Sequence, residues 1–242
     1  AFILMTQGVN MMLNMFFGPA VNAARAISVQ VQNAINQFSA NFQMALNPQI
    51  TKTYAIGEIE EMHKLVYRSS KFTFLLLFIV CFPIFLEAST ILKLWLKIVP
   101  DYTVIFLRIM ILILLIDSTA NPLMVSASAT GKIKVYQSVI GGLLLLILPL
   151  SYIVLKFGGA PWAVFIVHIV ICIVAYLLRL FIIKPLIQLS IHKFTRCVVF
   201  RSLLVAIVAM PIPLFLHFYL SDQIDKKLLI VIMTILCAVL SS

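Results

Sequence analysis

Charged residues are scarce in this chain. Asp, Glu, Lys and Arg make up 11% of its 242 residues, whereas hydrophobic residues make up 63%. A soluble domain has about a quarter charged residues, because its surface must be hydrated. The mean hydropathy of +1.12 therefore excludes a water-soluble globule. The composition predicts an all-α fold, a polytopic membrane helix bundle, because helices satisfy their backbone hydrogen bonds inside lipid.

Acidic residues are rarer than basic ones. Eight Asp and Glu stand against 18 Lys and Arg, which gives a formal net charge of +10. In a soluble protein this excess is typical of nucleic-acid binding. Here the basic residues lie mostly between apolar runs, so topology and lipid headgroups explain them, and no nucleic-acid partner is expected. The positive-inside rule predicts that these residues lie on the cytoplasmic side: Lys52, Lys64, Arg68, Lys71, Lys132, Lys134, Arg179, Lys184, Lys193, Arg196 and Arg201.

Residues that bind metals or carry out catalysis are few and scattered. Cys81, Cys172, Cys197 and Cys237 form no CxxC pair and no cluster with histidine, so neither a disulfide nor a metal site is predicted. The sequence holds no Walker loop, no GxSxG, no HExxH and no paired-aspartate prenyl-pyrophosphate motif, so no enzyme activity and no cofactor are expected. His168 lies within a span, where a packed histidine is a simpler reading than a proton relay.

Apolar runs of bilayer length recur along the whole chain. About eight spans can be drawn, each near the roughly 20 residues that a bilayer needs, and they predict a single transmembrane domain over residues 1–242. Asn47–Pro48 is expected to end the second span, because the residue before a proline avoids the helical region. The charged segment 51–71 is expected to form a short surface helix, with Glu60 and Lys64 four residues apart. The spans are about 1–17, 20–46, 66–90, 103–129, 133–156, 161–184, 197–220 and 227–242.

The second span differs from the others because polar side chains recur along it at steps of three or four. This spacing places them in one stripe on a helix, and a second amide stripe lies beside the first. An unpaired polar group in hydrocarbon costs several kcal/mol, so this face is predicted to meet other helices or water. Only a narrow apolar arc, which includes Ile27, Val31 and Ile35, is expected to face lipid. The first stripe is Asn22, Arg25, Ser28, Gln32, Asn36, Ser39, Gln43 and Asn47, and the second is Gln30, Asn33, Gln37 and Asn41.

A polar helix inside an apolar bundle suggests a polar pathway through the membrane. The first span has a weaker polar face, and a very short turn joins it to the second, so the two faces are expected to meet. Their amides either serve sugar hydroxyls or hold the hairpin together. Arg25 is either a cation for an anionic headgroup such as a pyrophosphate or an arginine that snorkels to the outer interface. The predicted cavity residues are Gln7, Asn10, Asn14, Asn22, Arg25, Gln32, Asn36 and Gln43.

Asp117 is a carboxylate well inside a span, in the segment IMILILLIDSTANPLMV. Pro122 removes a backbone donor, so the helix is expected to kink and expose carbonyl oxygens beside Asp117. Broken helices with carboxylates recur in cation-coupled transporters. Asp117 and Asn121 are therefore a candidate ion-coupling site; the alternative is a carboxylate that caps the broken helix. Arg108 lies roughly half a revolution away on the same helix, so Asp117 is expected to have no positive partner.

Several segments together resemble a known transporter family. QGVNMMLNMFFGPAVNAARAISVQVQNAINQFSANFQMALNPQITKTYA closely resembles the second half of bacterial polysaccharide-biosynthesis flippases. These are the Wzx-type members of the MOP superfamily, which also holds the MATE multidrug exporters and the lipid II flippase. RSSKF, LWLKIVPDYT, LIDSTANPL and ATGKIKVYQ are similar to the same family. The resemblance covers roughly residues 5 to 195.

The resemblance implies an architecture and an activity. Family members have about twelve to fourteen helices in two pseudo-symmetric lobes around a cavity. They move lipid-linked oligosaccharides from the cytoplasmic to the outer leaflet by alternating access, and basic cavity residues meet the pyrophosphate. The first span here resembles their seventh helix, so the chain is expected to be the C-lobe of a MOP/MATE-like fold, with the N-lobe missing. Arg25 matches the arginine of the family's FGPAVNAAR segment.

These observations predict a flippase for an undecaprenyl-pyrophosphate-linked oligosaccharide in the bacterial cytoplasmic (inner) membrane, serving surface polysaccharide or lipopolysaccharide O-antigen biosynthesis. Its expected partners are this substrate, membrane lipids and the polysaccharide polymerase machinery. The alternative is a MATE-like cation-coupled small-molecule or drug exporter, which would favour acidic and aromatic cavity residues. A membrane-embedded glycosyltransferase would need catalytic carboxylates in a loop, where only Glu58, Glu60 and Glu61 are found. The remaining alternative is a membrane subunit with a structural role and no transport activity.

Overall fold

The chain folds as a bundle of helices, and the computed structural model describes residues 2–211. No strand occurs in that range, so the all-α prediction is confirmed. The helices are α1 (Phe2–Phe17), α2 (Pro19–Ala55), α3 (Ile59–Leu86), α4 (Ala88–Trp95), α5 (Thr103–Ser118), α6 (Ala120–Ala129), α7 (Lys134–Leu145), α8 (Ile147–Lys156), α9 (Ala163–Ile187), α10 (Ile191–Phe194) and α11 (Arg201–Ala209), with a π-helical turn, Thr195–Phe200, between the last two.

Four helical stretches are long and apolar enough to cross a membrane. They are Ile59–Leu86, Thr103–Ala129, Lys134–Lys156 and Ala163–Ile187. The second and third each consist of two helices that are interrupted at single residues, Thr119 and Leu146. α1 is apolar but shorter, and α2 is long but carries the polar stripes. The predicted span at 227–242, and the end of the one at 197–220, lie outside the part of the chain that the structure describes.

α9 presents an apolar stripe on the surface of the bundle. Ile166, Val170, Ile173, Leu177 and Phe181 are all exposed, and steps of three or four residues put them on one face of the helix. A continuous exposed apolar surface of this kind is typical of a membrane or protein contact. Together with the four spans, it identifies the chain as a membrane protein, as the composition predicts.

α2 continues through Pro48 to Ala55, so the prediction that Asn47–Pro48 ends the second span is wrong. Pro48 and Met44, the residue whose carbonyl loses its donor, are both exposed, so the proline ring lies outside the packed core. Beyond it, Ile50 is fully buried in a cluster with Met62 and Val66 of α3. This packing keeps the chain helical past the proline, which membrane helices tolerate more readily than soluble ones.

The charged segment 51–71 is not a separate surface helix. Its first residues complete α2, residues 56–58 form a turn, and α3 begins at Ile59 rather than near residue 66. Lys64 pairs with Glu61 at 2.6 Å, not with Glu60. α3 ends at Leu86 and α9 ends at Ile187, so the spans predicted at 66–90 and 161–184 are displaced by a few residues.

The middle of the apolar arc of α2, from Ile27 to Ile35, packs inside the bundle instead of facing lipid. Ile35 is buried in a cluster with Leu77 of α3 and Leu107 of α5, and Ile27 and Val31 pack against the same cluster. The expectation that this arc meets lipid is therefore wrong for these three residues, whereas Phe38, further along the arc, is exposed. α2 lies against α1, α3, α5 and α6, and this packing leaves its amide-rich side uncovered by any helix described.

α1 packs closely against α8 at Gly8, which yields a test of the fold. A Cβ at Gly8 would lie 2.5 Å from Leu148 Cδ2, whereas a Cβ at Gly142 of α7 would meet no atom within 4 Å. We predict that Gly8→Leu lowers the melting temperature of the detergent-solubilised protein, because overpacking costs about 1–3 kcal/mol. Gly142→Leu, the matched control, should not lower it. Equal losses for the two variants would contradict the α1–α8 packing.

Candidate functional site

A stripe of uncovered amides runs along α2. Gln30, Asn33, Gln37 and Asn41 are all exposed, and Gln37 Nε2 donates to Asn41 Oδ1 at 3.1 Å. Lipid offers no hydrogen-bond partners to amides. This side of α2 therefore faces water or another polar surface in the membrane, in contrast to the apolar stripe on α9.

The neighbouring stripe of α2 is turned into the bundle. Arg25, Ser28, Ser39 and Gln43 are buried, Asn22, Gln32 and Asn47 are half-buried, and Asn36 is exposed. Ser28 Oγ lies 2.9 Å from the carbonyl oxygen of Ala24 and 3.2 Å from that of Thr103, so its one proton serves α2 itself or the start of α5. The first stripe thus joins helices together, whereas the second stripe stays open.

Arg25 connects the polar faces of α1 and α2. Its side chain is 6% exposed, and its Nη1 donates to Asn10 Oδ1. Asn10 Nδ2 in turn donates to Gln7 Oε1 at 3.4 Å. The prediction that these two faces meet is therefore confirmed for Asn10 and Arg25. An arginine this deeply buried does not snorkel to the surface of the bundle.

Arg25 has no carboxylate partner among residues 2–211. Within the same range, its buried Nε makes no hydrogen bond. The side chain lines a cavity of about 210 Å³ with Gln32 and Asn33. A buried cation that contacts only a neutral amide is costly, because its charge is not compensated. An anion or ordered water in this cavity would supply the missing partner.

Asp117 pairs with Arg179, a contact that the sequence analysis missed. Arg179 Nη1 donates to Asp117 Oδ1 at 2.8 Å. The expectation that Asp117 has no positive partner is wrong, and Arg179, which was assigned to the cytoplasmic side, reaches into the bundle. Arg108 does stay away from Asp117, because it donates to the carbonyl oxygens of Phe85 and Leu86. The available signal for Arg179 was its position as an ionisable residue inside an apolar helix.

The helix break beside Asp117 is present, and one carbonyl oxygen at the break is hydrogen-bonded. α5 and α6 are separated at Thr119, close to Pro122, as the proline predicts. Ser70 Oγ of α3 donates to the carbonyl of Thr119 at 3.2 Å. The oxygen of Thr119 therefore has a protein partner, whereas the carbonyl whose donor Pro122 removes is that of Ser118, four residues before the proline.

Asn121 lies against the buried stripe of α2. Its Nδ2 donates to Gln43 Oε1, and Gln43 Nε2 donates to Thr73 Oγ1 of α3 at 3.5 Å. A residue predicted for ion coupling and a residue predicted for the cavity are thus in direct contact. This amide bridge joins α2, α3 and α6.

Three adjoining cavities meet at Asp117, between α1, α2 and the helices α5 to α9. Their volumes are about 390, 210 and 260 Å³. Gln7, Asn10, Asn14 and Asn22 line none of the three, so the structure brings together only part of the predicted set. The polar residues that line one or more of them include Arg25, Gln32, Asn33, Asn36, Gln43, Asp117, Asn121, Tyr136, His168 and Arg179.

Comparison with known proteins adds no assignment. The chain matches no family model, no curated protein and no solved structure. Over the range that the structure describes, no group of three or more His, Cys, Asp or Glu is placed to hold a metal ion. Function is therefore inferred from the cavity residues themselves.

The exposed amide stripe of α2, which includes Gln37, should be accessible to water although the protein lies in a membrane. In a background without the four native cysteines, we predict that cysteine at Gln37 reacts with a membrane-impermeant maleimide. Cysteine at Phe181, exposed on the apolar face of α9, should not react, because a thiol in hydrocarbon does not form the reactive thiolate. Cysteine at the buried Ile35 should not react either. Equal labelling at Gln37 and Phe181 would contradict a water-filled face.

The Asp117–Arg179 pair should respond asymmetrically to loss of either charge. The Arg179 side chain is 13% exposed and the Asp117 side chain 40% exposed. Asp117→Asn leaves a buried cation uncompensated, whereas Arg179→Gln leaves a carboxylate that water can reach. We predict that Asp117→Asn lowers the melting temperature more, by weakening a bond that contributes about 1.5–3 kcal/mol. The double variant should recover most of the loss, and additive losses would refute the pairing.

Proposed function

We propose that the protein is a flippase that carries a lipid-linked oligosaccharide of the undecaprenyl-pyrophosphate type across the bacterial cytoplasmic membrane by alternating access. The observation that supports this proposal most is Arg25. It is a buried guanidinium without a carboxylate ion pair in residues 2–211, and it lines a cavity inside the bundle that also holds Gln32 and Asn33.

The chemistry of the cavity suits such a substrate in two ways. A guanidinium binds phosphate oxygens through charge and forked hydrogen bonds, so Arg25 is the candidate contact for the pyrophosphate. Amides donate and accept hydrogen bonds, so Gln32, Asn33 and Asn36 can exchange water for sugar hydroxyls as the glycan passes. Under this proposal the bundle is the C-lobe, and the open stripe of α2 faces the central pathway.

The charges of the cavity argue against the alternative, an exporter of cationic drugs. Asp117 is the acid that lines the three cavities of the described bundle, and Arg179 already neutralises it. A cationic substrate would meet Arg25 without a free carboxylate to bind it. An anionic headgroup would instead be attracted.

Within this proposal, Asp117 and Asn121 remain the candidate ion-coupling site. An arriving proton or cation would have to compete with Arg179 for the Asp117 carboxylate. Such competition would release Arg179 towards the cavity and so link ion binding to the affinity for the substrate. The glycan delivered to the outer leaflet would then be a substrate for polymerase machinery that builds a surface polysaccharide.

Arg25 provides the test of this function. In proteoliposomes of the intact protein, we predict that Arg25→Ala slows flipping of a fluorescent undecaprenyl-pyrophosphate oligosaccharide about tenfold or more, because a hydrogen bond to a charged group contributes about 1.5–3 kcal/mol. Arg25→Lys should retain part of the rate, since lysine keeps the positive charge but cannot form the two parallel hydrogen bonds of a guanidinium. The rate is measured as loss of fluorescence to a reductant that cannot cross the membrane.

Arg196→Ala, which removes an exposed arginine, is the control and should flip at the wild-type rate. Full transport by the Arg25→Ala variant would refute the assignment of the pyrophosphate to Arg25. Uptake of a cationic dye without any glycolipid movement would favour the exporter instead.

A further inference from the structure

Another cavity, separate from the three that meet at Asp117, lies between α3 and the start of α11. Its volume is about 350 Å³. Lys64, Arg68 and Lys71 lie on one face of α3, since they are four and three residues apart. Cys197 of the π-helical turn and Arg201 of α11 close the opposite side. Four basic side chains from two helices therefore converge on one cavity.

The positive charge of this cavity is largely uncompensated. Glu61 is bonded to Lys64 at 2.6 Å and lies within electrostatic range of Arg68. The side chains of Lys71 and Arg201 make no hydrogen bond or ion pair within residues 2–211. Like charges held together without counter-charges repel each other, so an anion would be bound favourably here.

The cavity lies where α3 passes from its charged start into its apolar run. Beside the basic residues, Tyr67 and the exposed Phe72 also line it, and aromatic side chains with Lys or Arg are typical of the membrane–water interface. Tyr67 packs edge-on against Phe194, with ring centroids 5.9 Å apart. This contact fixes the side of the cavity that Tyr67 forms. The π-helical turn, which contributes Cys197, is a feature that often occurs at functional positions.

We propose that this cavity binds the phosphate headgroup of an anionic membrane lipid, such as phosphatidylglycerol. Basic pockets between membrane helices recognise such headgroups through charge, and the aromatic side chains beside the basic cluster suit a headgroup at the membrane–water interface. The site is separate from the flippase proposal, because it shares no lining residue with the three cavities around Asp117.

Cys197 supplies a reporter inside the cavity. Cys81 and Cys172 are buried, and Cys237→Ser removes the remaining thiol. The rate at which N-ethylmaleimide modifies Cys197 is measured for the intact protein in nanodiscs of phosphatidylcholine alone and of phosphatidylcholine with a quarter phosphatidylglycerol. We expect phosphatidylglycerol to slow the modification several-fold. Inorganic phosphate, added to the phosphatidylcholine discs, should leave the rate unchanged.

Two double variants distinguish binding of the lipid in this cavity from general attraction of the protein to an anionic membrane surface. Lys71→Gln with Arg201→Gln should abolish the protection. Lys132→Gln with Lys134→Gln should preserve it, because this pair removes the same charge at the α6–α7 turn, on the same end of the bundle. Equal rates in the two kinds of nanodisc, or equal loss of protection in both double variants, would overturn the proposal. Protection by inorganic phosphate but not by phosphatidylglycerol would overturn the assignment to a lipid.

Discussion

A polar group at membrane depth must be hydrogen-bonded to protein or to water. The arrangement of this bundle around α2 follows from that constraint. α2 carries amides along most of its length, so it cannot stand against lipid as α9 does. Its apolar arc packs against α3 and α5, and its first polar stripe forms hydrogen bonds to α1, α5 and α6. The second stripe has no helix over it in residues 2–211. Asn33 of this stripe also lines two of the cavities around Asp117.

Arg25, which is buried, and Arg179, which is half-buried, have different kinds of partner inside the bundle. Arg179 has a carboxylate, Asp117, as its partner, so the pair is close to neutral and can serve as a structural link or as a switch. Arg25 has only the neutral Asn10. The central cavity therefore holds a net positive charge from Arg25, and the cavity beside α3 holds another from Lys71 and Arg201. Under the two proposals, both sites bind the phosphate groups of lipids.

Much of the fold could be predicted from composition and periodicity, because both depend on residues close together in the chain. Bilayer-length apolar runs located the four spans, and steps of three and four residues identified the polar stripes of α2. The short Gly18–Pro19 link correctly implied that α1 and α2 lie side by side, which brings Asn10 to Arg25. Local rules failed at Pro48, where burial of Ile50 against α3 outweighs the preference of the residue before a proline.

The amino-acid sequence by itself determined that this is a helical membrane protein and which residues share a face of each helix. It did not determine what each face meets, because that depends on how helices far apart in the chain cross. Asp117 and Arg179 are 62 residues apart, and Gln43 and Asn121 are 78 apart, so neither contact could be read from spacing along one helix. Only the tertiary structure decided that Asp117 is neutralised, that Arg25 is not, and that Lys71 and Arg201 face one cavity.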